Sequence, residues 1–106
     1  MSAWVYIMSN RKDGVLYIGV TADLSRRIVQ HREGKGSAFC RRYGLTRLVY
    51  AEEHDSIEDV IVREKAMKAW KRAWKIELIE GLNPAWDEII DMYEIVLKKR
   101  KVICPW

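Results

Sequence analysis

Apolar and polar positions along the chain alternate between strand-like runs and helical spacing. Residues 3–8, Ala-Trp-Val-Tyr-Ile-Met, are β-branched and aromatic without a breaker and read as a strand. Asn10 and Asp13-Gly14 make residues 9–14 a turn, and residues 15–20 the returning strand of an antiparallel hairpin. Thr21 or Asp23 then caps a helix to about Arg32. A basic loop at residues 34–37 precedes a short helical turn over 38–44 and a third strand from Arg47 to Glu52. Asp55 or Ser56 caps a long helix, and a second helical segment follows to about Glu80. Gly81 is its expected stop, and Asn83-Pro84 opens a last amphipathic helix over 85–97. This order predicts an α+β domain with a small three-stranded antiparallel sheet flanked by helices. It fills residues 1–97 as a single domain, with a basic C-terminal tail over 98–106.

Within these elements a few residues fit packing poorly. In the expected hairpin register Tyr6 lies across from Tyr17 and Trp4 across from Gly19, so two phenols share one face. Gly19 removes a side chain beside them and admits another group or a ligand. Taken alone, two tyrosines in strands are ordinary core residues. Arg27 and His31, four residues apart, share a helix face bordering the stripe of Leu24 and Ile28. An arginine there is suited to a two-pronged phosphate contact, or to snorkelling. On the long helix, Ile57, Val60, Ile61, Met67 and Trp70 mark the expected buried stripe, and Glu64 falls in its middle. A carboxylate so placed needs a partner. Lys68 one turn on offers an ion pair, and Mg²⁺ is the functional alternative. Asn83 caps the last helix, or its amide holds a phosphate or a catalytic side chain.

Composition narrows the class. The chain of 106 residues suits one domain. It has no apolar run near the ~18 residues of a membrane span and no secretory signal. Cys40 and Cys104 read as free thiols of a reducing cytoplasm, and they form no zinc-ligand spacing with His31 and His54. Net charge is +4, but between Arg11 and Arg47 nine basic residues face three acidic ones. Such an excess marks a phosphate-binding surface or a solvated face, and charge alone does not separate the two.

The ordered set of these residues resembles the GIY-YIG nuclease superfamily. The second half of that name stands intact as Tyr17-Ile18-Gly19, and the first half survives as Trp4-Val5-Tyr6, without its glycine. Arg27, His31, Glu64 in Arg63-Glu64-Lys65, and Asn83 before Pro84 fall at fitting intervals. Val20 stands where some relatives place a lysine. The stretch from Trp70 to Glu80, followed by Asn83-Pro84, looks like the small stand-alone bacterial YhbQ-like branch.

The resemblance implies an endonuclease that hydrolyses DNA with one Mg²⁺ or Mn²⁺ ion held by Glu64. Arg27 would neutralise phosphoryl charge, and Tyr6 would act as base with Tyr17 orienting, or the reverse. Arg27 and the metal would have to lower the tyrosine pKa, and His31 would contact phosphate or share the proton relay. Gly19, Arg26, Lys35, Arg41, Arg42 and Asn83 are the expected substrate contacts. With no targeting module beside the core, single-stranded, branched or damaged DNA is a more fitting substrate than a fixed site, in repair, recombination or DNA processing. Trp4 or Phe39 would stack on unpaired bases if they are not simply core. The competing expectations are a non-catalytic nucleic-acid-binding module or partner-dependent subunit, and a plain α+β domain with a structural Glu64–Lys68 pair.

Overall fold

The computed structural model describes residues 2–89. Strand β1 (Ala3–Ser9) is central, with β2 (Leu16–Thr21) and β3 (Arg47–His54) antiparallel on either side. Four helices complete the fold: α1 (Leu24–Arg32), α2 (Ala38–Tyr43), α3 (Ile57–Ala69) and α4 (Arg72–Leu82). The capping signals act as expected at the starts of α1 and α3, and Ser37 of the basic loop caps α2 in the same way. Asp23, Ser37 and Ser56 each accept a hydrogen bond from the backbone three residues on. Gly44 closes α2 in the left-handed conformation at φ 66.

All of β1 is buried because the sheet is covered on both faces. Trp4, Tyr6 and Met8 pack with Leu24 and Ile28 of α1 and Cys40 of α2. Ala3, Val5 and Ile7 pack with Val60 and Met67 of α3 and Ile79 of α4. The even and odd positions of one strand therefore feed two separate cores. Each is small, as a domain of this length dictates.

Several sequence expectations are corrected. The hairpin register is displaced by two residues: Tyr6 pairs with Gly19, Trp4 with Thr21 and Met8 with Tyr17. The cause lies in the turn. Asn10 Oδ1 accepts from Val15 N at 3.0 Å and Gly14 N donates to Arg11 O at 3.0 Å, so the loop closes over residues 10–15. A shift of two preserves the face, and Tyr6 and Tyr17 remain neighbours. The expected stripe on α3 is narrower: Val60 and Met67 are buried and Trp70 half-buried, whereas Ile57 and Ile61 are exposed. Helix α4 runs through Gly81, because the cap comes from Asn83, whose N–H reaches Ile79 O at 2.7 Å.

No helix follows over residues 85–89. Trp86, at φ 58 and fully buried, turns the chain; its indole donates to Glu80 and its carbonyl accepts from Arg47. Ile89 N then donates to Leu48 O at 2.9 Å, fastening this segment to β3. The rest of the expected last helix, the basic tail and Cys104 lie outside the described residues. Cys40 is a buried free thiol.

Candidate active site

Tyr6 and Tyr17 project from β1 and β2 toward α1, and their rings lie 6.3 Å apart, centroid to centroid. His31, in the last turn of α1, stands edge-on to both, at 5.7 Å from Tyr6 and 5.8 Å from Tyr17. The Tyr6 hydroxyl and His31 Nε2 are hydrogen-bonded at 3.0 Å. His31 is only 4 % exposed, and its Nδ1 is buried without a hydrogen-bond partner, against Gly36. Burial and the nearby Arg27 charge push the His31 pKa below its ordinary value, so the imidazole is neutral at neutral pH. Its burial removes it from direct phosphate contact. What it touches is the Tyr6 phenol.

Gly19 creates this arrangement. A Cβ there would stand 2.6 Å from both Cζ and Oη of Tyr6 and 2.9 Å from Cε2 of Tyr17. The group it admits is therefore the Tyr6 ring, not a ligand. Tyr6 is fully buried, and burial, with Tyr17 adding to it, pushes its pKa up despite the opposing pull of Arg27. Arg27 pulls the Tyr6 pKa down as expected, but the net shift is upward, because desolvation of the phenolate outweighs one half-buried guanidinium. Tyr17 is half-buried and is the phenol of the pair that reaches the surface.

From Tyr17 a line of rings continues outward. Phe39 stacks near it at 6.3 Å and 28°, and Tyr43 lies 4.9 Å from Phe39. Both α2 residues are 43 % exposed, so Phe39 is not core, whereas Trp4 is. The Arg42 guanidinium covers the Tyr43 ring at 5.5 Å, and Arg41 beside it is exposed. Arg26 is also exposed, and Lys35 is exposed with Glu33 at 3.8 Å.

Two expected site residues stand apart from this cluster. Glu64 lies on α3, across the sheet from α1, with its side chain 18 % exposed and paired to Lys68 Nζ at 3.4 Å. Helix α3 packs chiefly along β2 and β1, on the sheet face opposite the tyrosines. Among the described residues no group of three or more His, Cys, Asp or Glu is arranged to hold a metal. A lone carboxylate suits an ion that keeps its waters and takes substrate phosphate oxygens. Asn83 is 4 % exposed; its amide donates to Val49 O and Asp87 O and accepts from Asp87 N. Both of its N–H donors are thus used on backbone, which makes it a staple between α4 and β3 and takes it out of the phosphate contacts.

A second polar cluster was not foreseen in the sequence. Glu52 is 7 % exposed on the α3 side of β3 and receives Tyr50 Oη, Arg63 Nε and Nη2, and His54 Nε2. Arg63 also covers Trp70 at 5.0 Å. This pair locks α3 to the sheet one residue before Glu64. The only signal in the sequence was an acidic residue at the end of a strand, which looks like any solvated terminus.

A GIY-YIG catalytic domain profile matches residues 2–77. The chain belongs to the GIY-YIG catalytic domain family. The match spans β1 through the first half of α4, and so takes in the tyrosines, Arg27, His31 and Glu64. Among similar proteins, a UPF0213 protein of Staphylococcus saprophyticus is 34 % identical over 76 residues, covering 72 % of this chain and 92 % of the relative. A UPF0213 protein of Streptococcus pneumoniae is 36 % identical over 77 residues, 73 % of this chain and 77 % of its own length. The solution structure of a UPF0213 protein from Bacillus halodurans is 34 % identical, aligns with a TM-score of 0.50, and covers 92 % of this chain and 96 % of its own. GIY-YIG membership implies a nuclease domain and a DNA substrate. No helix among the described residues is long and apolar enough to cross a membrane.

Proposed function

We propose that this GIY-YIG chain is a divalent-metal-dependent endonuclease that hydrolyses DNA phosphodiester bonds, with a preference for single-stranded or locally unpaired DNA. The observation that carries the reading is the buried Tyr6–His31 pair placed directly behind a surface tyrosine. A plain packing core has no use for a phenol hydrogen-bonded to a buried imidazole whose other nitrogen is left without a partner.

Tyr17 is the phenol that meets the attacking water, since Tyr6 has no exposed surface. Behind it, the hydrogen bond between neutral His31 and the Tyr6 hydroxyl fixes the Tyr6 ring and so orients Tyr17 against it. That assignment reverses the expectation that Tyr6 meets the water, and burial is the reason. Arg27, close enough to Tyr6 to act on its pKa, offers its guanidinium to the phosphoryl oxygens. Glu64 is the carboxylate that would hold Mg²⁺ or Mn²⁺, after opening its ion pair with Lys68, and the ion would supply charge stabilisation at the phosphate.

The preference for unpaired DNA rests on Phe39 and Tyr43. Exposed rings continuous with Tyr17, flanked by Arg41 and Arg42, match the base-stacking and phosphate contacts of single-strand binders. A duplex hides its base faces and cannot use them. Such a nuclease suits DNA repair, recombination or processing.

The test is cleavage of labelled single-stranded, duplex and branched DNA with Mg²⁺, Mn²⁺ or EDTA, beside Glu64→Ala and Arg27→Ala. Metal-dependent cutting abolished in both variants, with binding retained by Glu64→Ala, is expected. Binding without cutting on every substrate would instead make the chain a binding module or a subunit needing a partner.

A further inference from the structure

A second group of cations lies on the α3–α4 side of edge strand β2. A cavity of about 590 Å³ is lined there by Arg11, Asp13 and Gly14 of the hairpin turn, Leu16 of β2, and Arg72 and Lys75 of α4. Three cations thus face a single carboxylate. Arg72 is fixed in place, because its Nη2 donates to the carbonyls of Asp13 at 2.8 Å and Gly14 at 2.6 Å. The turn it grips includes Asp13 at φ 58, an unusual conformation for a side-chain-bearing residue. Helix α4 adds to the positive field, since its N-cap, Lys71, gives the first turn no side-chain acceptor.

The cavity is joined to Glu64 by a chain of contacts. Lys75 Nζ donates to Lys68 O at 3.4 Å, and Lys68 Nζ lies 3.4 Å from Glu64. Leu16 on the cavity wall immediately precedes Tyr17, whose ring lies on the opposite face. A strand with its reacting phosphate at the edge of β2 would therefore have this cavity along its continuing path.

We propose that the Arg11–Arg72–Lys75 cavity binds a backbone phosphate of the nucleic-acid substrate next to the scissile one, as a subsite outside the tyrosine cluster. The inference rests on the nuclease reading and adds to it a strand path. Arg72 supplies a fixed guanidinium, while Arg11 and Lys75 close on the anion from the turn and the helix. Substrates that end before this subsite forgo its contribution.

The experiment uses the full chain carrying Glu64→Gln, to prevent cutting, with and without Arg11→Gln plus Lys75→Gln. Arg72 is kept, because it holds the hairpin. Affinity for a labelled single-stranded oligonucleotide is measured over a salt series, and melting of both proteins is followed with inorganic phosphate. The double substitution is expected to weaken binding several-fold at low salt and to lower the log–log salt slope by about 0.7 for each phosphate no longer neutralised. Unaltered slope and affinity, in a parent that binds DNA and comes from a cutting wild type, overturn the subsite alone. Loss of a phosphate-induced melting shift with DNA binding intact marks a free-anion site and also overturns it. A parent that binds no oligonucleotide overturns the subsite and the nuclease reading together.

Discussion

Gly19→Ala tests whether this glycine serves the tyrosine pair or the substrate. The new methyl group would sit 2.6 Å from Cζ and Oη of Tyr6, a ring with no exposed surface and no room to withdraw. Overpacking of this kind costs about 1–3 kcal/mol. Displacing the hydroxyl from its 3.0 Å bond with His31 leaves two buried polar groups unsatisfied, at about 1–3 kcal/mol more. Alanine is otherwise the better strand residue by roughly 0.5–1 kcal/mol. The expected net loss is about 3 kcal/mol, a fall in Tm on the order of 10 °C or more. Equilibrium urea unfolding followed by tryptophan fluorescence measures it. Repeating the substitution in a Tyr6→Phe background removes the hydroxyl share, so the two changes should couple by about 1 kcal/mol or more. A loss below about 0.5 kcal/mol, of the size seen for uninvolved surface changes, would refute the steric argument. If cleavage vanished at the same time, Gly19 would be a substrate-approach position instead.

Phe39→Ala should weaken single-stranded DNA binding by about 1–3 kcal/mol per stacked base, while duplex binding and Tm stay nearly unchanged; anisotropy on both substrates checks this. Glu52→Ala removes the acceptor of Tyr50 and the partner of a partly exposed Arg63 and should cost about 1–3 kcal/mol in urea unfolding, whereas a loss near zero would make the cluster an ordinary surface pair. Burial alone would raise the Glu52 pKa, but hydrogen bonds from Arg63, Tyr50 and His54 hold it below its ordinary value of 4.5. Its contribution is therefore present above pH 4.5 and lost as pH falls through the depressed value, so Glu52→Gln should flatten the acid limb of the stability–pH curve. His31 is also depressed and contributes above pH 6.5, with loss on acidification, whereas Tyr6 is raised and contributes below pH 10, with loss as pH rises beyond it. Stability curves of His31→Gln and Tyr6→Phe should each lose the corresponding limb.

The elements and the parity of the sheet were legible from the residues alone. Period-two runs and the caps Asp23 and Ser56 are local signals, because each acts through hydrogen bonds or dihedrals within a few residues. The shared face of Tyr6 and Tyr17, and the neighbourhood of Arg27 and His31, were legible for the same reason. Strand alternation and the four-residue helix repeat assign faces before any tertiary contact is known.

Packing settled what depends on exclusion of water and on which partner arrives. Which tyrosine reaches solvent follows from how α1 lies on the sheet, and no periodicity encodes it. Phe39 was left outside because α2 turns Cys40 inward, and the face that Phe39 shares with Tyr43, four residues on, stays half open. Residues 85–89 have helical spacing but form a turn, since Asn83 spends its amide on Val49 and Asp87 and Trp86 buries its indole against Glu80. Glu52 and Arg63 are eleven residues apart on different elements, and only docking α3 onto β3 makes a solvated carboxylate into a buried one. Local sequence chose the pieces and their faces; desolvation, which is a property of the assembled molecule, chose the roles.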